Sequence, residues 1–491
     1  MFVAAHPPFG GAPVKQLDAV DPRVSPHRDA LLVGPGSTRL PAGRLTTALG
    51  TPCMTIARLA RRMGLLVAIF IALPAFAVDI APGGDLRAAI AALRPGEELV
   101  LAGGTYTVSS GFRVSVIGTA AQPIVMRAKS GERAIINQTN SNQNVFEISG
   151  SRYFVVRGIE FTGGSHGVRL MDSDFITVED CEIHDTGDVA LSANSGGTYE
   201  GLKILRNHIH HTNVTGEGMY LGCNEDACRV ANSLIANNYI HHTNGPTVEQ
   251  GDGIELKEGS YGNVIRDNVI HDTNYPGIIT YSAAGNGPAN VIEGNLIWNT
   301  NDNAIQSAAD AIIRNNILLD GPIALQSHQG GSPNNMQVVN NTIITQDEGI
   351  VVRNVVGPVL IANNAVYSQG GTAIRLVSGN LAQVTVAGNV GHGGMEGRSG
   401  GFVEGRGLAL DFVNARYGVP PNDVFPKTGS ALIGAAAAQY IPATDFNGAT
   451  RTGSTDVGAY RFSASGNPGW SLAAGFKGGT RPMPPTNLTA Q

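Results

Sequence analysis

Short runs of three to five Val, Ile and Leu residues, broken by Gly, Asn, Asp, Ser and Thr, fill the chain after residue 95, and none sustains a helical period. The runs predict strands. They keep step with a recurring phrase, asparagine followed by one variable and one aliphatic residue, at Asn207, Asn238, Asn268, Asn295, Asn316, Asn341, Asn364 and, more weakly, Asn389, with spacings of 31, 30, 27, 21, 25, 23 and 25. Two earlier copies carry Ile159 and Cys181 in the asparagine slot. Such a period marks a solenoid whose units bury an apolar face only by stacking. Three short strands and their turns need roughly 22 residues or more per coil. The expected fold is therefore all-β, a single-stranded right-handed parallel β-helix with the asparagine amides stacked into a ladder. Leucine-rich repeats would show an LxxLxL phrase, which is absent.

Composition agrees, since 64 glycines, 15% charged and 6% aromatic residues suit a narrow core of small aliphatics. One elongated domain is expected over residues 78–394, because solenoid coils contact only their neighbours. Leu86, Ile90 and Leu93 fall at helical spacing ahead of Pro95 and Gly96, predicting a helix that caps the open end of the stack. Residues 395–462 lose the ladder and read as an irregular C-terminal cover, and 463–491 as a Gly/Pro-rich tail. Residues 1–53 lack periodicity and read as a disordered gene-model extension. Met54 then opens a basic segment (Arg58, Arg61, Arg62), an apolar run and a small-x-small end at Ala75 and Ala77, the pattern of a signal peptide over 54–77. A secreted or periplasmic protein with no membrane span in its mature form is expected. Such a chain keeps 25 Lys and Arg against 36 Asp and Glu, a net charge of −11, which argues against nucleic acid as a partner. Cys223 and Cys228 flank the four-residue loop of CNEDAC and suit a small-loop disulfide in an oxidising compartment, while Cys181 reads as a buried core thiol.

Side chains alternate inward and outward along a strand, and equivalent positions stack about 4.8 Å apart. Placing Val168, Leu191, Met219, Ile254, Ile278, Ile305, Ile323, Ile350 and Ile374 inside leaves an outward row of Arg169, Ser192, Tyr220, Glu255 with Lys257, Tyr281, Gln306, Gln326 and Arg353. This register turns Glu255 and Lys257 toward solvent, next to long turns carrying Glu217, Glu225, Asp226, Glu249 and Asp252. The result is a polar groove with a base, phenols and clustered carboxylates, in which Tyr220, Gln306, Gln326 and Arg353 would contact substrate. Plain structural roles fit the same residues. Glu255 and Lys257 could pair with charges on neighbouring coils, and Asp252 in GDG could serve a tight turn. His210, His211, His241, His242 and His271 recur at equivalent turns, as structural residues do.

The opening LRAAIAALRPGEELVLAGGTYT, the following QPIVMRAKSGERAIINQ and the strand IELK at Ile254–Lys257 resemble the secreted right-handed β-helix proteins that include alginate lyases and chondroitinase B, over about residues 79–395. The resemblance implies β-elimination from an acidic polysaccharide. Lys257 would abstract the C5 proton of a uronate, and Ca2+ held by acidic side chains would neutralise the C6 carboxylate. It assigns Lys257, Tyr281 and Glu255 to catalysis and Glu217, Glu249 and Asp252, with Glu255, to the metal. Tyr281 stands where that family carries an arginine on the next coil, so the acid would be a tyrosine. A glycoside hydrolase or epimerase in the same groove, using Glu255 with Asp252 or Glu249, and a non-catalytic glycan-binding surface protein are the alternatives. A monomer is expected from a stack with capped ends.

Overall fold

The computed structural model describes residues 77–418 and 420–479. The extension, residues 54–76 of the signal segment and residues 480–491 of the tail lie outside the described residues. Three parallel sheets of 13, 12 and 13 strands run the length of the stack, each coil contributing one strand to each sheet. The first sheet begins with Ala77–Ile80, the second with Arg113–Val114 and the third with Gly104–Val108. This is the parallel β-helix that the period predicts. No helix among the described residues is long and apolar enough to cross a membrane.

The core is made of three aliphatic rows, one per sheet. In the first sheet Ile204, Ile235, Ile265, Ile292, Ile313, Val338 and Ile361 pair in succession. In the third, Ile209, Ile240, Ile270, Ile297, Leu318, Ile343 and Val366 do the same. All are buried, and each fully buried Ile contributes on the order of 1.5–3 kcal/mol. The helix Leu86–Ala91 starts at Asp85, whose carboxylate accepts from the Ala88 amide, and buries Leu86 and Ile90 against the first coils.

The asparagine ladder is continuous from Asn207 to Asn389. At each step the backbone N–H and the side-chain amide of one asparagine both donate to Oδ1 of the next, as from Asn238 to Asn268 at 2.9 Å each. The same amide also donates to a carbonyl of the preceding coil, Ile204 in that case. Cys181 donates its backbone N–H to Asn207 Oδ1 and otherwise sits as a buried free thiol, pushed up to about 12 by burial. The residue before each rung turns the corner at positive φ, among them Asn237 (57°), Asn315 (53°), Asn340 (54°) and Asn363 (58°). Asparagine tolerates that region, which accounts for the repeated Asn-Asn pairs. A second, shorter ladder through Ser233, Asn263 and Asn290 was not apparent from the sequence.

The C-terminal segment lies along the side of the third sheet. Phe412, Val424, Phe425, Phe446, Val457 and Tyr460 pack on the outward faces of Leu296, Ile317, Ile344 and Ala365 in a second apolar core. Corner asparagines bind it directly, with Asn340 Nδ2 donating to the Gly458 carbonyl and Asn363 Nδ2 to the Ala437 carbonyl. This packing continues past residue 462, because Lys477 Nζ, nearly buried, donates to Asp267 and to the Gly294 and Phe446 carbonyls.

Candidate active site

The strand Ile254–Leu256 lies in the second sheet between Met219–Leu221 and Ile278–Thr280. The nine aliphatics from Val168 to Ile374 form one unbroken pairing row, and every one is fully buried. Ile254 therefore points into the stack and Glu255 and Lys257 point out of it. The outward residues fall into two rows instead of one. Arg169, Ser192, Tyr220, Glu255, Ile279 and Gln306 share the first. Lys257, Tyr281, Gln326 and Arg353 follow the second, set by the hydrogen bonds that continue each strand by one residue.

Facing outward does not expose these groups. Glu255 is 2% and Lys257 4% exposed, a correction to the solvent-facing expectation. The long turns rise beside them and make a cleft of about 410 Å³, lined by Glu249, Asp252, Glu255, Lys257, Tyr281 and Gln306 together with Gln250, Tyr275, Asp302 and His328. On its floor Lys257 Nζ lies 2.5 Å from Glu255 Oε1, which also accepts from the Tyr281 hydroxyl at 2.9 Å. The ammonium sits 4.6 Å from the Tyr220 ring centroid and 5.0 Å from that of Tyr281. Burial favours the neutral amine, but the adjacent Glu255 charge outweighs it and holds Lys257 above its ordinary value. Burial, then Glu255, raises Tyr281, which keeps its proton.

Glu217 and Asp252 occupy equivalent positions on adjacent coils, each followed by a glycine that enters a strand. The glycines of GDG are obligatory. A Cβ on Gly251, at φ 74°, would meet the Thr243 carbonyl at 2.0 Å, and one on Gly253 the Gly277 carbonyl at 2.4 Å. The tight turn thus exists, and it also delivers a carboxylate. Oxygens of Glu217, Asp252 and Glu255 converge to within 4.8 Å of one another, and all three residues are buried. Both oxygens of Glu217, Oδ1 of Asp252 and Oε2 of Glu255 have no hydrogen-bond partner. Burial pushes Glu217 up to about 6, and burial followed by the charges of Glu255 and Glu217 raises Asp252 well above its ordinary value. Three buried carboxylates with one ammonium between them are a costly arrangement unless protons or a further cation balance them. Orphaned hard oxygen donors in this number fit calcium.

Other expected residues fall elsewhere. Glu249 lines the mouth of the cleft but is exposed and outside the carboxylate triad, where Glu255 stands instead. Gln306 reaches the cleft and accepts from Gln326, which stands behind it. Arg353 faces Glu348 at 3.9 Å and is four coils beyond Lys257, on the order of 19 Å away. Glu225 and Asp226 belong to the loop closed by the Cys223–Cys228 disulfide. His328, whose ring centroid lies 5.0 Å from that of Tyr281, leaves no signal in the sequence, because it belongs to a turn between the second and first sheets whose length differs from coil to coil. The repeated histidines lie on the third sheet and do not line the cleft.

Residues 77–312 match the family model described as the Pel9A-like right-handed β-helix region. The chain is 24% identical over 203 residues to pectate lyase PEL9 of Emericella nidulans, covering 38% of this chain and 42% of that protein. It is 26% identical over 220 residues to pectate lyase L of Thermoclostridium stercorarium, covering 42% of this chain and 17% of that one. The chain thus spans less than half the length of these curated relatives. Among solved structures it is similar to pectate lyase Pel9A, with 18% identity, 79% of this chain and 96% of that chain covered, and a TM-score of 0.48. It is also similar to the alginate lyase from Paenibacillus sp. str. FPU-7, with 23% identity, 65% and 98% covered, and a TM-score of 0.44.

Proposed function

We propose that this chain is a calcium-dependent polysaccharide lyase that cleaves a uronate-containing glycan by β-elimination, with pectate as the first candidate substrate. One observation carries the reading: a lysine on an outward strand position sits at the floor of a cleft beside three converging carboxylates with orphaned oxygens. The pectate lyase names of the matched relatives support the substrate class. Glu217, Asp252 and Glu255 would hold the cation, with Glu249 at the mouth. When bound, calcium would offset the charge of the site and of a uronate C6 carboxylate, which makes the neighbouring C5 proton acidic enough to remove.

Lys257 takes the C5 proton in this reading. Its ion pair with Glu255 holds it charged, so it becomes a base only after a cation engages the Glu255 charge and the ammonium gives up a proton to solvent. As the C5–H pair forms the C4–C5 double bond, the C4–O bond breaks and the leaving oxygen needs a proton. The Tyr281 hydroxyl, 2.9 Å from Glu255, is the nearby acid. Tyr220, beneath the ammonium, and the Gln306–Gln326 pair would position the sugar. Arg353 would meet only a distant part of a long chain. Hydrolysis is less well supported, because it calls for two carboxyl groups about 5–9.5 Å apart on either side of the bond, whereas these oxygens converge to within 4.8 Å of one another. The Cys223–Cys228 disulfide suits an exported protein. The test is digestion of pectate, alginate and glycosaminoglycans with calcium and with chelator. Unsaturated, ultraviolet-absorbing products formed only with calcium support the proposal, and new reducing ends without unsaturation refute it.

A further inference from the structure

Away from the cleft, the third sheet carries a face of seven histidines. The strand His208–His210 pairs with Glu182–His184 on one side and Tyr239–Thr243 on the other. Residues two apart on a strand share a face, so Glu182, His208 and His210 project together. His208 Nδ1 and His210 Nε2 each lie 3.2 Å from the same oxygen of Glu182. The three donor atoms lie within 4.8 Å of one another, and the side chains retain 16%, 13% and 18% exposure for His208, His210 and Glu182. They are sheltered yet reachable by a small ion.

The remaining ring nitrogens are also engaged. His208 Nε2 is 2.8 Å from His241 Nε2, His210 Nδ1 is 2.7 Å from His211 Nδ1, and His241 Nδ1 is 2.6 Å from His242 Nδ1. The rings of His184, His210, His241 and His271 stack on successive coils with centroids 5.0–5.1 Å apart. Phe476 packs over His208 and Tyr239. A carboxylate only accepts, so as a neutral ring His210 directs its Nε2–H at Glu182 while His208 Nδ1 faces the same oxygen, and the outer nitrogen of His210 accepts from the next imidazole. One divalent cation between the rings and Glu182 reverses the order. Each ligand's outer nitrogen would then donate to a partner already at hydrogen-bonding distance, the arrangement that orients metal-bound histidines. His211 and His242, both exposed, end the two chains where solvent can return the proton that each terminal ring passes inward.

We propose that Glu182, His208 and His210 form a zinc site on the third sheet, separate from the acidic cleft and linking two adjacent coils. Two imidazoles and one carboxylate, with solvent as fourth ligand, suit zinc and not calcium. The neighbouring group of His242, His271 and Asp272 is a weaker candidate. There the nitrogen of His242 that faces Asp272 stands 3.8 Å from it and already pairs with His241 Nδ1 at 2.6 Å.

The test uses the untagged full chain, stripped by chelator and titrated with zinc chloride in excess calcium. One equivalent should bind with little net proton release above the ordinary imidazole range, because each neutral ring only moves its proton to the outer nitrogen, and with release that grows as the pH falls and the rings become protonated. His208→Gln and His210→Gln should each weaken binding at least about tenfold, and the outer-partner variant His211→Gln about tenfold, while Glu217→Gln in the cleft leaves it unchanged. Cobalt(II) titration of the unaltered chain supplies a readout that no folding defect can obscure, since a four-coordinate site gives intense visible bands. Absence of zinc binding, affinity unchanged in His208→Gln and His210→Gln, or only the weak bands of six-coordinate cobalt would overturn the proposal.

Discussion

Replacing Asn268 with alanine tests whether the ladder holds the coils together. Asn268 is fully buried, and its Oδ1 accepts from the Asn238 backbone N–H and side-chain amide at 2.9 Å each. Its own amide donates to Asn295 Oδ1 at 3.0 Å and to the Ile235 carbonyl at 3.1 Å. Asn268→Ala removes all four bonds. Asn295 Oδ1 keeps the backbone N–H of residue 268, and the Asn238 amide keeps the Ile204 carbonyl. The Asn238 backbone N–H, by contrast, loses its acceptor inside the stack. An orphaned buried donor costs about 1–3 kcal/mol and each of the three other lost bonds about 1 kcal/mol, so the variant should lose about 4–6 kcal/mol. Urea unfolding followed by far-ultraviolet circular dichroism measures this, with the m-value checked for loss of cooperativity among coils. Arg266→Ala, at an exposed position on the same coil, should change stability by under about 1 kcal/mol. A loss below about 1 kcal/mol in Asn268→Ala would refute the ladder's role.

Three further outcomes follow from the geometry. Glu217, held up to about 6 against an ordinary 4.5, binds protons more readily folded than unfolded, so its contribution is fully present below 4.5 and is lost as pH rises through about 6. In chelator the wild type should therefore lose stability relative to Glu217→Gln between about pH 5 and pH 7, and calcium should restore it at the higher pH; parallel melting curves for the two proteins would contradict this. Replacing both Cys223 and Cys228 by serine opens a loop of about six residues and should cost about 2 kcal/mol in urea unfolding, whereas an unchanged midpoint would mean that contacts alone hold that loop. The Cys181 thiol, pushed up to about 12, should resist alkylation in the native protein and react at the rate of unfolding, and rapid native labelling would place it outside the core.

The coil repeat was legible because a ladder rung must present an amide, leaving asparagine fixed while its neighbour varies. The inward register was legible because a strand that points Ile254 into a core has no other face for Leu256. Burial of Glu255 and Lys257 was not legible. It depends on how high the turns around Asp252 and His328 rise, which residue counts do not determine. The acidic triad left a partial signal, the Glu217-Gly218 and Asp252-Gly253 pairs before equivalent strands. The convergence of Glu182 on His208 and His210 left less, because it depends on pairing across coils of unequal length. The lateral packing of the C-terminal segment also escaped the sequence reading, since its contacts with Asn315, Asn340 and Asn363 join residues far apart in the chain.

The account rests on Lys257 acting as a base at the floor of a carboxylate-lined cleft. The most direct measurement is ultraviolet absorbance during incubation of pectate and calcium with the wild type and with Lys257→Ala, with glycan binding measured in parallel. The account predicts rising absorbance from unsaturated products in the wild type and a rate lower by about 10²–10⁴-fold in the variant, which still binds the glycan. Equal rates in the two proteins, or cleavage by the wild type without unsaturation, would contradict it.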